Sequence, residues 1–88
     1  MTNEEKKDMG NRIKKFLKSN QSNQADIARE LSKRLGISFK AANVKISRIA
    51  TGRYDSDTDV WKVLYEKFRA NIGFLITGKG EPNVKPFE

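Results

Sequence analysis

Apolar residues recur along most of the chain at intervals of three and four positions, the spacing that places them on one face of an α-helix. Polar or glycine-containing breaks divide this pattern into five segments. No stretch alternates between apolar and polar residues for more than a few positions, so the pattern predicts an all-α fold with essentially no sheet. The apolar residues of the five predicted helices are Met9, Ile13, Phe16 and Leu17; Ile27, Ala28, Leu31 and Leu35; Phe39, Ala42, Ile46, Ile49 and Ala50; Val60, Trp61, Leu64 and Phe68, widened by Val63 and Tyr65; and Ile72, Phe74, Leu75 and Ile76.

Residues suited to helix termini give the boundaries of these helices. Thr2 and Glu5 have the spacing of a capping box, in which each side chain accepts a hydrogen bond from the other residue's backbone N–H. Gly36, Gly52 and Gly78 supply residues that readily end a helix in the left-handed conformation. The first three predicted helices are 3–18, capped by Thr2, 24–35, capped by Ser22 or Asn23, and 39–51, capped by Ser38. A fourth helix begins with a cap within 56–59, and Asn71 caps a last short helical turn.

A chain of 88 residues has room for one domain with one modest core. All five predicted helices lie within residues 1–78, which we interpret as that domain. Gly80, Pro82 and Pro86 predict a tail or the start of a linker over 79–88. The N-terminus lacks the basic-then-apolar order of a signal peptide, and no apolar run approaches the roughly 18 residues of a membrane span. We therefore expect a cytoplasmic location and no membrane partner.

The chain contains no cysteine and no histidine, which removes disulfides, thiol chemistry, zinc-finger sites and imidazole catalysis. Asp55, Asp57 and Asp59 alternate before a helix, but a calcium loop would require further ligands and a later glutamate, so we interpret them as caps. No convergent pair of carboxylates is evident. The sequence therefore predicts no enzyme, no catalytic residue, no metal site, no cofactor and no small-molecule substrate.

The formal net charge is +7, and most of the positive excess falls between Ile27 and Tyr54, where Glu30 is the one acidic residue. Two predicted helices meet there at Leu35-Gly36-Ile37-Ser38, which combines a turn glycine, an apolar residue that can lock the helices together, and a cap. Such a pair is typical of a helix-turn-helix unit, here over 24–53, that reads duplex DNA in the major groove. Its basic residues are Arg29, Lys33, Arg34, Lys40, Lys45, Arg48 and Arg53.

The apolar side of the third predicted helix leaves a polar side open. On that side Asn43 can pair bidentately with adenine, Arg48 or Lys45 with guanine, and Val44 can contact a thymine methyl group. This composition predicts sequence-specific binding to double-stranded DNA. The residues on or near the open side are Lys40, Asn43, Val44, Lys45, Ser47, Arg48 and Thr51.

Four segments resemble, in the same order, motifs of lambda-repressor-like (Cro/cI, XRE-type) helix-turn-helix DNA-binding domains. Together they span about residues 11 to 82, most of the chain. The resemblance implies a compact five-helix lambda-repressor-like bundle, acting as a phage-like transcriptional repressor or regulator that binds palindromic operator DNA as a homodimer. The segments are Gln24-Ala25-Asp26-Ile27-Ala28, similar to Q-x-x-[LI]-A; Leu35-Gly36-Ile37-Ser38, similar to the turn; Ile46 to Arg53, similar to I-S-x-I-x-x-G-[KR]; and Phe74 to Pro82, similar to W-L-L-T-G-x-G-x-P.

Two intervals are longer than in the family pattern. The turn follows Ala28, and Ile46 follows Ser38, about four residues later than the family has them, which is roughly one helical turn of 3.6 residues. Each apolar face therefore stays nearly in register. The resemblance implies the family fold with lengthened helices two and three, and with a recognition helix that enters the groove differently.

The resemblance also implies roles for individual residues. Phosphate contacts set the orientation and salt dependence of binding, whereas contacts to base edges set the sequence choice. The base-reading residues are Asn43, Val44, Lys45 and Arg48, and the backbone-contacting residues are Gln24, Arg53 and Tyr54 by resemblance, Ser38 and Lys40 by charge and capping, and Ser47 and Thr51 by their place on the open side.

The alternative function is a protein-interaction module, such as an antitoxin or adaptor whose helices bind an acidic partner. It predicts that replacing Asn43 and Arg48 leaves function intact. The aromatic residues of the last two helices lie at helical spacing, so we interpret them as core or dimer interface rather than a platform for stacking single-stranded bases. They are Trp61, Tyr65, Phe68 and Phe74.

Overall fold

The computed structural model describes residues 1 to 84, and this range forms five α-helices with no strand beyond an isolated bridge between Ala70 and Asn83. The all-α prediction is confirmed, and the first three helices begin and end within one residue of the predicted positions. The helices are α1 (Asn3–Ser19), α2 (Gln24–Leu35), α3 (Phe39–Ala50), α4 (Thr58–Phe68) and α5 (Ile72–Thr77).

Side-chain hydrogen bonds define the helix N-termini, because the first backbone N–H groups of a helix have no partner within it. The predicted capping box forms at α1: Thr2 Oγ1 accepts from the Glu5 N–H at 3.1 Å, and the Thr2 N–H donates to Glu5 Oε1 at 2.9 Å. Asn23 caps α2 by accepting from the Asp26 N–H at 2.9 Å. Ser22 instead donates its hydroxyl to the Asp26 carboxylate at 2.8 Å, which lowers the pKa of Asp26.

The core is built from the predicted apolar faces. α3 packs against α1 and α2, α2 also packs against α4, and α1 also packs against α5. Side chains of this size stabilise the fold by about 1.5–3 kcal/mol each when they are fully removed from water. The largest fully buried side chains come from all five helices and are Met9, Ile13, Leu17, Ile27, Leu31, Ile46, Ile49, Val60, Val63, Leu64 and Leu75.

Three predicted apolar positions are exposed instead. Leu35 lies eight residues after the buried Ile27. At roughly 100° per residue, this places Leu35 about 80° around α2 from Ile27, at the edge of the buried face. Phe39 is the first residue of α3, and because helical side chains lean toward the N-terminus, its ring extends past the packed part of the helix. Tyr65 contacts the Arg69 guanidinium, whose Cζ lies 5.1 Å from its ring centroid. The other aromatic side chains of α4 and α5 pack, partly buried, against the core: Trp61, Phe68 and Phe74.

α1 and α3 approach so closely that no side chain fits between them. A Cβ at Gly10 would lie 2.4 Å from the carbonyl oxygen of Ala50 and 2.8 Å from its carbonyl carbon. In the turn after α3, Gly52 has a φ of +79°, and a Cβ there would lie 2.9 Å from the Cα of Lys7. α1 therefore determines where the C-terminal end of α3 lies.

The segment after α5 returns to the junction of α4 and α5. The Val84 N–H donates to the Arg69 carbonyl at 2.7 Å, and the Asn71 N–H donates to the Pro82 carbonyl at 2.9 Å. The first part of the predicted tail is thus hydrogen-bonded to the bundle. Residues 85–88, over which the tail prediction continues, lie outside the described residues.

Candidate nucleic-acid interface

The turn between α2 and α3 consists of residues 36–38 and is held by hydrogen bonds. Gly36 has a φ of +64°, and its N–H donates to the Ser32 carbonyl at 3.0 Å. The Ser32 hydroxyl donates to the carbonyl of Ile37 at 2.6 Å, and the Ile37 side chain packs against the core. Ser38 Oγ accepts from the Ala41 N–H at 3.1 Å and thereby begins α3. The two helices are joined tightly, and the outer side of α3 faces solvent.

The outer side of α3 carries a shallow depression of about 240 Å³. Every lining residue is one for which the sequence predicts a DNA contact, so the structure brings this part of the predicted set together on one surface. No carboxylate is among them. The lining residues are Asn43, Val44, Ser47, Arg48, Thr51 and Arg53.

Arg48, which lines this depression, contacts Tyr54, which does not. The Arg48 guanidinium lies over the Tyr54 ring, with Cζ 5.1 Å from the ring centroid, and Arg48 Nη1 donates to the Tyr54 hydroxyl at 3.0 Å. The ring quadrupole attracts a cation near its face, so the contact with the ring and the hydrogen bond both favour one position of the guanidinium. The sequence resemblance predicts that Tyr54 contacts the DNA backbone, and nothing in the sequence indicates its contact with Arg48.

Lys45 is bound to the start of α4 and does not line the depression. Its Nζ lies 3.0 Å from Asp57 Oδ2 and 3.4 Å from Asp59 Oδ2. Asp57 also caps α4, because its Oδ1 accepts from the Asp59 N–H and the Val60 N–H. The hydrogen bond to Asp57 raises the pKa of Lys45. Lys45, for which the sequence predicts base reading, thus connects α3 to α4 in the structure.

The predicted backbone-contacting residues outside the depression lie at helix termini or beside α3. Gln24 is the first residue of α2 and lines a shallow depression of about 170 Å³ together with Lys14 and Lys18 of α1. Sequence reasoning did not select these two lysines, although their four-residue spacing places them on one side of α1. Ser38 and Lys40 are exposed at the N-terminus of α3.

Ion pairs neutralise part of the positive charge of α2 and α3. Arg34 pairs with Glu30 at 3.1 Å and also with Glu66 of α4, and Arg29 pairs with Asp26. The charge that is left lies mainly on α3 and the loop after it. Within residues 1–84, the basic residues of α2, α3 and this loop that form no ion pair are Lys33, Lys40, Arg48 and Arg53.

Among the described residues, no group of carboxylates could hold a metal ion, and no helix is both long and apolar enough to cross a membrane. Comparison with protein-family models, curated proteins and solved structures produced no match.

Proposed function

We propose that the protein binds double-stranded DNA sequence-specifically through the outer side of α3 and acts as a transcriptional repressor or regulator. The observation that carries the proposal is the depression on α3, where residues able to pair with base edges lie together with no carboxylate. An α-helix fits the major groove of B-DNA, in which each base pair presents a distinct pattern of donors and acceptors. The tight turn between α2 and α3 supports the lambda-repressor-like unit that the sequence motifs imply.

Three residues of this depression supply the base contacts. Arg48 donates two hydrogen bonds to guanine O6 and N7, Asn43 pairs with adenine, and Val44 contacts a thymine methyl group. Lys45 would have to leave Asp57 and Asp59 to reach a base, so we assign it to holding α3 against α4.

The phosphate contacts come from the ends of the two helices. Gln24 lies at the N-terminus of α2, where the helix dipole favours an anion, and beside Lys14 and Lys18. Arg53 lies in the loop after α3. Basic side chains that contact phosphates release counterions, so these contacts make binding weaken as salt rises.

The proposal includes binding as a homodimer to a palindromic operator, as the motif resemblance implies. A single small module buries little DNA surface, and two copies on related half-sites supply the missing affinity. The partly buried apolar residues of α5, Ile72, Phe74 and Ile76, are the proposed contact between copies. Sedimentation equilibrium with a selected duplex should give two chains per duplex, and a single chain per duplex would overturn the dimer.

Selection of bound duplexes from a random pool tests the proposal directly. It should yield a palindromic site whose half-site spacing matches one or more turns of B-DNA. Arg48→Ala should then lower discrimination against a base change in the site by about 1–3 kcal/mol, and Asn43→Ala should do the same at a different position.

Matched variants separate base reading from general charge effects. Lys62→Ala removes one positive charge from an exposed position of α4 for which no DNA contact is predicted, and should leave discrimination unchanged. Gln24→Ala should weaken binding to all duplexes alike, because phosphates carry no sequence information. Failure to enrich any sequence, with equal binding by wild type and Arg48→Ala, would refute sequence-specific binding.

Exposed apolar side chains favour the alternative function of a protein-interaction module. Leu35 is 38% exposed and Phe39 is 45% exposed, and they lie on either side of the turn between α2 and α3. Large apolar residues on a surface are typical of contacts with another protein when they lie together. Under this alternative, Leu35→Ser and Phe39→Ser abolish function, whereas Asn43→Ala and Arg48→Ala retain it.

A further inference from the structure

The loop after α3 folds back onto the residue that carries the proposed guanine contact. The carbonyl of Arg48 accepts hydrogen bonds from the Arg53 N–H at 2.9 Å and the Tyr54 N–H at 3.2 Å. Gly52 makes this possible with a φ of +79°, a conformation that residues with a side chain rarely adopt. The backbone of Tyr54 is therefore tied to Arg48 independently of their side chains.

The side chains of the same two residues are also bound to each other. Tyr54 receives one hydrogen bond from Arg48 Nη1 at 3.0 Å and places its ring under the guanidinium. A guanidinium has five N–H donors, and a bidentate contact to guanine uses two of them. The contact with Tyr54 thus leaves enough donors for a base while it restricts the position of the group.

We propose that Tyr54 is a positioning residue for Arg48 and thereby sets the preference for guanine, instead of contacting the DNA backbone on its own account. This inference rests on the proposed function, since it concerns how the same surface reads a base. An arginine side chain that is already ordered loses less conformational freedom when it binds, so the complex with the correct base is favoured.

The size of the effect follows from the freedom that Arg48 would regain. When a side chain with many rotamers becomes ordered only on binding, the lost freedom lowers the affinity by about 2- to 12-fold. Tyr54→Ala should therefore lower the affinity ratio of guanine over other bases at the Arg48 position by about 2- to 12-fold. Tyr54→Phe retains the ring but loses the hydrogen bond, so its ratio should lie between those of Tyr54→Ala and wild type.

The experiment measures affinities of wild type, Tyr54→Ala and Tyr54→Phe on a selected duplex, on copies with each other base at the position read by Arg48, and on a random duplex. The position is identified first with Arg48→Ala. Arg53→Ala serves as the control for the loop, and it should weaken all duplexes alike. Tyr54 is 47% exposed, so its replacement leaves the core intact, and circular dichroism verifies this.

Loss of discrimination by Tyr54→Ala, with random-duplex affinity retained and partial rescue by Tyr54→Phe, is the expected result. An equal loss on every duplex would instead make Tyr54 a backbone contact, and no change at all would remove it from recognition; either result overturns the inference. If a site is enriched but Arg48→Ala discriminates as wild type does, Arg48 reads no base and the inference is overturned. If no sequence is enriched at all, the proposed function itself fails.

A measurement without DNA tests the positioning contact separately. The Tyr54 ring should shift the NMR signals of the Arg48 side chain away from their random-coil positions in the free protein. The shift should persist in Tyr54→Phe and disappear in Tyr54→Ala. Identical Arg48 signals in all three proteins would overturn the positioning role whatever the DNA measurements show.

Discussion

Gly10→Ala sets two opposite physical effects against each other. In the interior of a helix such as α1, alanine is more favourable than glycine by about 1 kcal/mol, because glycine loses more backbone freedom on folding. Helix propensity alone therefore predicts that the replacement stabilises the protein. The contact with α3 predicts the reverse, since the new Cβ would lie 2.4 Å from the carbonyl oxygen of Ala50 and 3.0 Å from that of Ile49.

The size of the destabilisation follows from how far the new Cβ must move away from the backbone of α3. Ordinary contacts of a Cβ begin at 3.4 Å, so α1 has to retreat from Ala50 by about 1 Å. The atoms in the way belong to helix backbone, which cannot rotate aside as a side chain can. Overpacking of this kind costs about 1–3 kcal/mol, and rigid partners favour the upper end. After the gain in propensity is subtracted, Gly10→Ala should destabilise the fold by about 2 kcal/mol.

Thermal and urea unfolding followed by circular dichroism measures this difference. For a domain of this size, about 2 kcal/mol corresponds to a fall in Tm of roughly 8–16 °C. Asn11→Ala, at the exposed neighbouring position of α1, gains helix propensity without a new contact and should unfold at the wild-type temperature or slightly above. If Gly10→Ala matches Asn11→Ala in Tm, the added Cβ does not clash with the backbone of α3 and the prediction is wrong.

Three further changes test other contacts. Arg12→Ala removes the hydrogen bonds that Nε and Nη2 donate to the carbonyls of Leu75 and Ile76 at 2.7 and 2.6 Å. It should lower the free energy of unfolding in urea by about 1–2 kcal/mol. Equal stability would show that these bonds contribute no more than the hydrogen bonds to water that they replace. Lys45→Met should lower the free energy of unfolding by about 0.5–1 kcal/mol, and by less at high salt, so a salt-independent difference would contradict an ion pair. Because the pKa of Lys45 is raised, its contribution is complete at neutral pH and is lost only as the pH rises through the alkaline range. Asp26→Asn should reduce stability at neutral pH and make stability decline less in acid. The Ser22 hydroxyl and then Arg29 lower the pKa of Asp26, so the contribution of its carboxylate disappears as the pH falls through that pKa. Parallel profiles of stability against pH for the two proteins would rule this out.

Features that depend on neighbouring residues could be predicted from the sequence. The capping box at Thr2, the cap at Ser38 and the turn at Gly36 involve groups at most five residues apart, and the residue types carry the information. The buried faces follow from helical periodicity for the same reason. The choice between Ser22 and Asn23 at α2 required the structure, because both side chains can reach the same helix end.

Features that depend on how the helices pack could not be predicted. Lys45 has the same spacing from Arg48 whether it faces DNA or α4, and only the position of Asp57 decides between them. The return of Val84 to Arg69 is a backbone hydrogen bond for which composition carries no signal. The exposure of Phe39 depends on where the core ends, not on its phase along α3.

Under the proposed function, stability and recognition share one structural element, because the end of α3 that carries Arg48 is held from two sides. On one side α1 contacts it backbone to backbone, at Gly10 and through Lys7 at Gly52. On the other side Lys45 ties α3 to Asp57 of α4. A binding site tolerates displacements of about 0.5 Å, and the retreat expected of Gly10→Ala is about twice that. Under the proposed function, Gly10→Ala should therefore lose discrimination at the base read by Arg48 at temperatures where it is still fully folded, whereas Asn11→Ala, at the exposed neighbouring position of α1, should retain it.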